Sequence, residues 1–184
     1  KLPFEEGAPQ EKSLESAPLP TQANFLWEAK EAWSWEWEER YARWIAENVD
    51  ETFFEKHRIR TDCADVAVAL RWIFSRIHGL PAAFHLMGAG QLFHHEVYNE
   101  SWAPLTKHDD WTMDARFLAS LEYVLRLTYT HSLFNDSYPI EIRRETFLPG
   151  VHHLSLHSRS GHTQFVARTD LSDESFEPIT IIAS

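Results

Sequence analysis

The stretch that decides the fold of this chain is residues 62–81, which read DCADVAVALRWIFSRIHGLP. After a polar start, the stretch is apolar nearly all round as far as Ile77, which is typical of a helix buried in the middle of a domain. Gly79 is a natural helix stop, and Pro81 prevents the helix from continuing. The sequence therefore predicts a central buried helix over residues 64–77, with Cys63 at its start.

Cys63 is the single cysteine of the chain. The first N–H groups of a helix are unpaired and carry positive dipole charge, so a thiolate there is stabilised and its pKa falls. A lone cysteine in apolar surroundings is otherwise an inert small hydrophobe. His162 follows a glycine at the start of a strand-like segment and is the candidate general base, with His157 as a second candidate. This order of cysteine and histidine favours a cysteine hydrolase.

Two blocks of the sequence resemble the NlpC/P60 cell-wall hydrolases. Residues 62–66, DCADV, with GLP at 79–81, resemble the family's DCSGLV … LP block. Residues 148–151, LPGV, then a strand, a polar turn and GHTQ at 161–164, resemble its PGDLV … GHVGIY block. The resemblance covers residues 63–81 and 147–168. It implies a papain-like α+β fold, in which a central helix carrying Cys63 packs on an antiparallel sheet and His162 is the base.

The same resemblance implies an activity. The expected reaction is cleavage of an amide or peptide bond in the stem peptide of bacterial peptidoglycan, without a cofactor. Asp62 matches the family's acidic residue that helps to hold a free amine of the stem peptide, and it serves equally well as a helix N-cap. Asp65 stands where the family usually has glycine. Because the chain starts at Lys1 without methionine, we expect a protein exported to the periplasm or cell envelope.

A third group commonly orients the catalytic imidazole and fixes its tautomer. In the resembling family this group is a His, Asn or Gln on the strand after the base. The matching stretch, residues 178–184, contains none of these residue types. Thr180, Ser184 and Asp170 are the polar candidates for a third member, and a Cys–His dyad without one would work more slowly.

The rest of the chain divides by composition. Residues 1–24 hold four prolines among polar residues and predict an arm or linker, whereas residues 25–184 predict a single domain. Apolar residues at helical spacing predict an amphipathic helix over residues 24–49, within an N-terminal extension, residues 25–60. Residues 82–145 are predicted to be a mostly helical insertion, with its clearest helix at 112–129. Three strands are predicted at 151–156, 162–167 and 179–182, in an antiparallel meander.

Composition excludes several classes of partner. With 184 residues, 43% apolar and 14% aromatic, the chain is globular. A net charge of −11 argues against nucleic-acid binding and against adhesion to an anionic membrane surface. No apolar run approaches the length of a bilayer-spanning segment. The partner that the resemblance to NlpC/P60 hydrolases implies is a peptide or a peptidoglycan fragment.

Eleven histidines raise the question of a metal site. The dense clusters are His94-His95-Glu96 and His152-His153 with His157. None places an i, i+4 pair on a predicted helix, and adjacent residues on a strand point to opposite faces. The pattern therefore predicts no metal site.

Two alternatives from other classes stay open at this stage. One is a non-catalytic module of the same fold, in which the inserted wall or the Trp33, Trp35 and Trp37 helix binds wall fragments or a protein. Aromatic residues at helical spacing are otherwise packing residues. The other alternative is an acyltransferase or deamidase, which forms the same thioester and passes it to an acceptor other than water.

Overall fold

The structure, a computed structural model, describes residues 25–87, 92–97, 99–143, 145–158, 160–169 and 180–182. The predicted arm, residues 1–24, lies outside this range. The described chain is mixed α+β, with five α-helices and two small antiparallel sheets. The helices are α1 (Trp35–Asn48), α2 (Phe53–Lys56), α3 (Cys63–His78), α4 (Ala115–Leu127) and α5 (Thr130–Asn135). The strands are β1 (Ala83–His85), β2 (Leu92–His94), β3 (His152–Leu156), β4 (Gly161–Arg168) and β5 (Thr180–Ile182).

The central helix, α3, confirms the prediction from residues 62–81. The Asp62 carboxylate caps its first turn, and Gly79 ends it in a left-handed conformation with φ of 63°. Most of its residues are buried, including Trp72 and Phe74, which are fully buried. The helix shares one hydrophobic core with Phe165 of β4, so the helix-on-sheet arrangement is present.

Buried aromatic rings join the N-terminal segment, α3 and α4 in that core. The Trp27 ring lies edge-on to Trp72, with 4.8 Å between centroids, and near Phe117 of α4, at 6.0 Å. The Trp27 indole N–H donates to the Leu80 carbonyl at 2.9 Å, so its polar atom is satisfied inside the core. None of the described helices combines the length and the apolar character that crossing a membrane requires.

The first helix is shorter than predicted. α1 begins at Trp35 with Ser34 as its N-cap, whereas the sequence predicted a helix from residue 24. Residues before it are held in a non-helical path by bonds to distant backbone: Leu26 donates to the His95 carbonyl at 3.0 Å, and Lys30 to the Gly79 carbonyl at 2.8 Å. These tertiary bonds replace the helical bonds that the local pattern favours.

Two of the three clustered tryptophans are packing residues. Trp33 is stacked on Phe74 with 6.0 Å between ring centroids, and Trp37 lies edge-on to the same ring at 6.2 Å. Trp35 is 64% exposed. The three side chains therefore do not form one continuous exposed platform.

Residues 82–145, which were predicted to be a mostly helical insertion, are only partly helical. This part of the chain contains α4, α5 and a short 3₁₀ helix, but it begins with the two-stranded β1–β2 sheet, which the sequence did not predict. Phe84 and Phe93 pair across these strands and are buried over Trp72. Three-residue strands are too short to show a clear period of two, so the pattern did not reveal them.

The second sheet has the order β3-β4-β5, with both pairs antiparallel, as the predicted meander requires. Thr163 and Phe165 on β4 are buried, and Phe165 packs in the core that contains α3. Because side chains alternate along a strand, the residues between them point to the opposite face. The face of β4 that carries each residue therefore decides which of them can meet α3.

Candidate active site

Cys63 is the first residue of α3, and its side chain is half-buried. Asp62 Oδ1 accepts the N–H groups of Ala64, at 2.9 Å, and Asp65, at 3.1 Å. Among the described residues, the backbone N–H of Cys63 donates no hydrogen bond. A free amide at the positive end of a helix, beside a thiol, can stabilise an oxyanion that forms on an attacked carbonyl.

Asp65 lies in the same first turn and is only 8% exposed. Its Oδ2 accepts the Asp62 N–H at 3.0 Å, and its Oδ1 is buried without a partner in the described part of the chain. Burial, and secondarily the negative charge of Asp62, raises the pKa of Asp65 to about 7. This carboxyl group therefore exchanges a proton near neutral pH within one helical turn of the thiol.

His162 is the second residue of β4, and it is exposed. Alternation along the strand places its side chain on the face opposite Thr163 and Phe165, and therefore away from the face that packs on α3. Ser155 lies opposite His162 on β3. In the described residues no hydrogen bond joins the Cys63 thiol and the His162 ring, so the structure does not bring the predicted pair together.

The candidates for a third catalytic group fall in different places. Thr180 pairs with Arg168, at the other end of β4 from His162. Asp170 and Ser184 lie outside the described residues. Asp62, the predicted substrate-binding residue, is exposed and also serves as the N-cap of α3, so its alternative role is confirmed.

His152, on β3, is the histidine on the same sheet face as Phe165, its cross-strand partner. Its Nε2 lies 2.9 Å from the Ser137 hydroxyl, and burial lowers its pKa, so the ring is neutral at pH 7. The other candidate base, His157, is exposed just after the end of β3. Which of these histidines faces the core depends on strand register, which sequence does not show.

His85 has an imidazole ring that is oriented by a carboxylate, and nothing in the sequence indicated this pair. His85 Nδ1 lies 2.6 Å from Asp136 Oδ1, and the His85 backbone N–H donates to Asp136 Oδ2 at 2.8 Å. The carboxylate fixes the orientation of the ring, and the His85 side chain is 35% exposed. Fifty-one residues separate the two partners, so no local motif could have revealed the pair.

An open cleft of about 460 Å³ lies beside the start of β4. It is lined by Tyr129, Thr130, His131, Ser158, Ser160 and Gly161. None of these lining side chains is acidic, although the chain as a whole carries a net charge of −11. The cleft opens next to Gly161, the residue that precedes His162.

The predicted histidine clusters do not converge on a metal-binding arrangement. His94 is half-exposed, with its Nδ1 3.5 Å from Glu96 Oε2, whereas the neighbouring His95 is buried. Within the described ranges, no group of three or more His, Cys, Asp or Glu side chains is placed to hold a metal ion.

Comparison with protein-family models, with curated proteins and with solved structures finds no match to this chain. The resemblance of the two sequence blocks to NlpC/P60 hydrolases therefore stays a prediction.

Proposed function

We propose that this chain is a cysteine hydrolase that cleaves an amide or peptide bond. The observation that carries the proposal is the position of Cys63, half-exposed at the start of the buried helix α3 with its backbone N–H free of any described partner. The unpartnered, buried Oδ1 of Asp65 in the same turn is a second unusual feature of this end of the helix. A buried polar atom without a hydrogen-bond partner needs an explanation, and a catalytic role is one such explanation.

In the proposed reaction the Cys63 thiolate attacks the carbonyl carbon, and a sulfur–carbon bond forms. The free N–H of Cys63 donates to the oxyanion. As the intermediate collapses, the carbon–nitrogen bond breaks and His162 gives its proton to the leaving amine. Water, deprotonated by the same imidazole, then hydrolyses the thioester and returns the thiol and a carboxylic acid.

This reaction requires His162 to approach α3. In the structure the His162 ring lies on the face of β4 that points away from α3. The beginning of that strand must therefore turn toward Cys63 when substrate binds. Residues 161 and 162 pair only with β3 among the described strands, because β5 pairs with residues 165–168. This end of β4 is therefore constrained by fewer ladder hydrogen bonds than its middle.

The papain-like fold and the peptidoglycan stem peptide as substrate come from the resemblance of the two sequence blocks. Asp62, whose Oδ1 takes both cap bonds, would use Oδ2 to hold the amine of the peptide. An exported, cell-envelope location follows from the same substrate. The reaction needs no cofactor.

The test is the rate of alkylation of the single thiol as a function of pH, followed by intact mass. The variants are His162→Ala, His152→Ala and, as a matched control on an exposed strand histidine, His153→Ala. We expect rapid alkylation well below the ordinary thiol pKa of about 8.5, lost in His162→Ala and retained in His153→Ala. Loss only in His152→Ala would reassign the base.

A thiol that stays inert until about pH 9 in the wild type would overturn the proposal. A non-catalytic binding module of the same fold would then be the function. The specific observation that favours this second candidate is the placement of His162 on the face of β4 away from α3.

A further inference from the structure

One short segment after α5 exposes several large apolar side chains together. Tyr138 is 68% exposed and Ile142 is 83% exposed, and Ile140 between them is also exposed. They alternate with Pro139 and Glu141, and residues 138–143 belong to no helix or strand. Alternating, exposed apolar residues of high β-propensity are typical of a segment that pairs with another strand.

On one side of this segment, most backbone groups form hydrogen bonds within the chain. The Thr146 hydroxyl donates to the Glu141 carbonyl, and it accepts the Arg143 N–H at 3.1 Å. The Arg143 carbonyl accepts the N–H groups of Thr146, at 3.2 Å, and Phe147, at 3.0 Å. The carbonyl of Glu141 and both backbone groups of Arg143 are therefore used inside the chain.

The intervening backbone groups are free. In the part of the chain that the structure describes, the N–H and C=O groups of Ile140 and Ile142 make no hydrogen bond. Neighbouring residues of an extended chain direct these groups to opposite sides. Residues 140–143 thus present one unpaired edge, which we name the 140–143 edge.

We propose that the 140–143 edge pairs with the same edge of a second copy of this chain. The pairing is antiparallel, with Ile142 opposite the partner's Ile142, so that the two residues exchange N–H···O bonds. In this register each Glu141 lies opposite the partner's Arg143. Within one chain the Glu141 and Arg143 side chains are already paired, with 2.7 Å between Arg143 Nη2 and Glu141 Oε2. In the dimer these two pairs lie side by side with opposite charges facing each other across the two-fold axis, and the apolar Ile142 side chains leave water.

The charges select this register and this partner. A pairing shifted by one residue in either copy no longer has the two copies related by a two-fold axis. An antiparallel pairing centred on residue 141 or 143 places like charges opposite each other. A parallel, in-register pairing also stacks Glu141 on Glu141. The segment is neutral, because the exposed Glu141 and Arg143 cancel, so the overall charge of −11 is not concentrated here.

Because the ladder is short, a weak dimer is expected, and sedimentation velocity from about 10 μM to about 1 mM measures it. Arg143→Glu and Glu141→Arg should each raise the dissociation constant about tenfold or more, because each places like charges opposite each other. A mixture of the two variants should restore a heterodimer, since carboxylates at both positions of one chain then face guanidinium groups at both positions of the other. Arg40→Glu, which changes the net charge as Arg143→Glu does, should leave the dimer intact.

Cross-linking tests the register directly. Ile142→Cys in a Cys63→Ser background should oxidise to a disulfide-linked dimer, because facing residues of a hydrogen-bonded pair lie at disulfide distance. Met113→Cys in the same background, at another exposed position, should not. A wild type that is monomeric throughout, or a dimer that Arg143→Glu leaves unchanged, overturns the proposal. These measurements do not depend on whether Cys63 is catalytic.

Discussion

Asp62 and Asp65 cap the first turn of α3 reciprocally: Asp62 Oδ1 accepts the Asp65 N–H at 3.1 Å, and Asp65 Oδ2 accepts the Asp62 N–H at 3.0 Å. The two carboxyl groups flank Cys63, but only Asp65 is buried. The helix end that carries the thiol is thus held by two acidic residues, one of which resists ionisation.

The raised pKa of Asp65 makes stability depend on pH. Its pKa in the folded chain, about 7, lies above the ordinary value of 3.8, so the folded state holds a proton that the unfolded state releases. This stabilisation is complete below about pH 4 and is lost as the pH rises to about 7, by at most about 1.4 kcal/mol per pH unit. Urea unfolding of the wild type and Asp65→Asn across this range should show the wild type losing stability relative to the variant.

Asp50 provides the contrast for that experiment. Hydrogen bonds from Thr52 and Lys56 lower its pKa to about 2, so its contribution is present above about pH 4 and is lost only in stronger acid. Asp50→Asn should therefore show no slope between pH 4 and pH 7. A flat difference between wild type and Asp65→Asn in that range would contradict the assignment of the raised pKa.

Asp114 should be the most costly carboxylate to remove. It is fully buried, caps α4 through the Phe117 N–H at 2.9 Å, and accepts from Arg76 at 3.0 Å. Asp114→Ala leaves the Arg76 guanidinium without its charged partner and should lower the free energy of unfolding by about 3–5 kcal/mol. Lys56→Ala, which removes the exposed pair with Asp50, is the control and should change the denaturation midpoint little.

Arg71 should not tolerate lysine. Its guanidinium lies 3.3 Å from the centre of the Trp33 ring and donates to both carboxylate oxygens of Glu38, at 2.7 and 2.5 Å. A lysine keeps the charge but cannot form the planar two-bond pair, so Arg71→Lys should cost about 1–2 kcal/mol. Arg40→Lys, at an exposed arginine over Trp37, should cost less than about 0.5 kcal/mol in the same chemical denaturation measurement.

Gly150, two residues before β3, packs against Tyr41 of α1. Its φ of 96° is unfavourable for other residues, and a Cβ there would lie 2.8 Å from Cε1 of the buried Tyr41. Gly150→Ala should therefore lower the free energy of unfolding by more than about 2 kcal/mol, since Tyr41 must shift. Gly79→Ala has a positive φ but no contact closer than 3.4 Å, so it should cost only about 1 kcal/mol. Equal losses would show that steric contact with Tyr41 is unimportant.

The sequence predicted well those elements whose ends carry a capping residue or a glycine stop. Asp62 and Gly79 delimit α3 as the sequence predicted, and the three strands of the meander lie within one residue of the predicted bounds. α4 was predicted at 112–129 and begins later, at Ala115, because Asp114 is the residue whose carboxylate caps it. Caps and glycine stops act within one turn of the chain, which is why a sequence shows them.

The sequence did not predict the structure of segments in which hydrogen bonds to distant backbone replace the locally favoured ones. The segment before Ser34 has helical spacing, yet Leu26 and Lys30 bond to His95 and Gly79 instead. The β1–β2 pair was hidden for a related reason, since Phe84 and Phe93 are placed by burial over Trp72 rather than by a repeat in the sequence.

By itself, the sequence determined a mixed α+β chain with a buried central helix that begins at its single cysteine. Helix caps and apolar periodicity are short-range properties, so they are legible in order along the chain. Only the tertiary structure decided which side of β4 carries His162, that Asp65 is buried, and that His85 meets Asp136. A shift of strand register by one residue moves every side chain to the other face of the sheet. Burial depends on residues that are distant in the sequence, so neither property can be predicted from neighbouring residues alone.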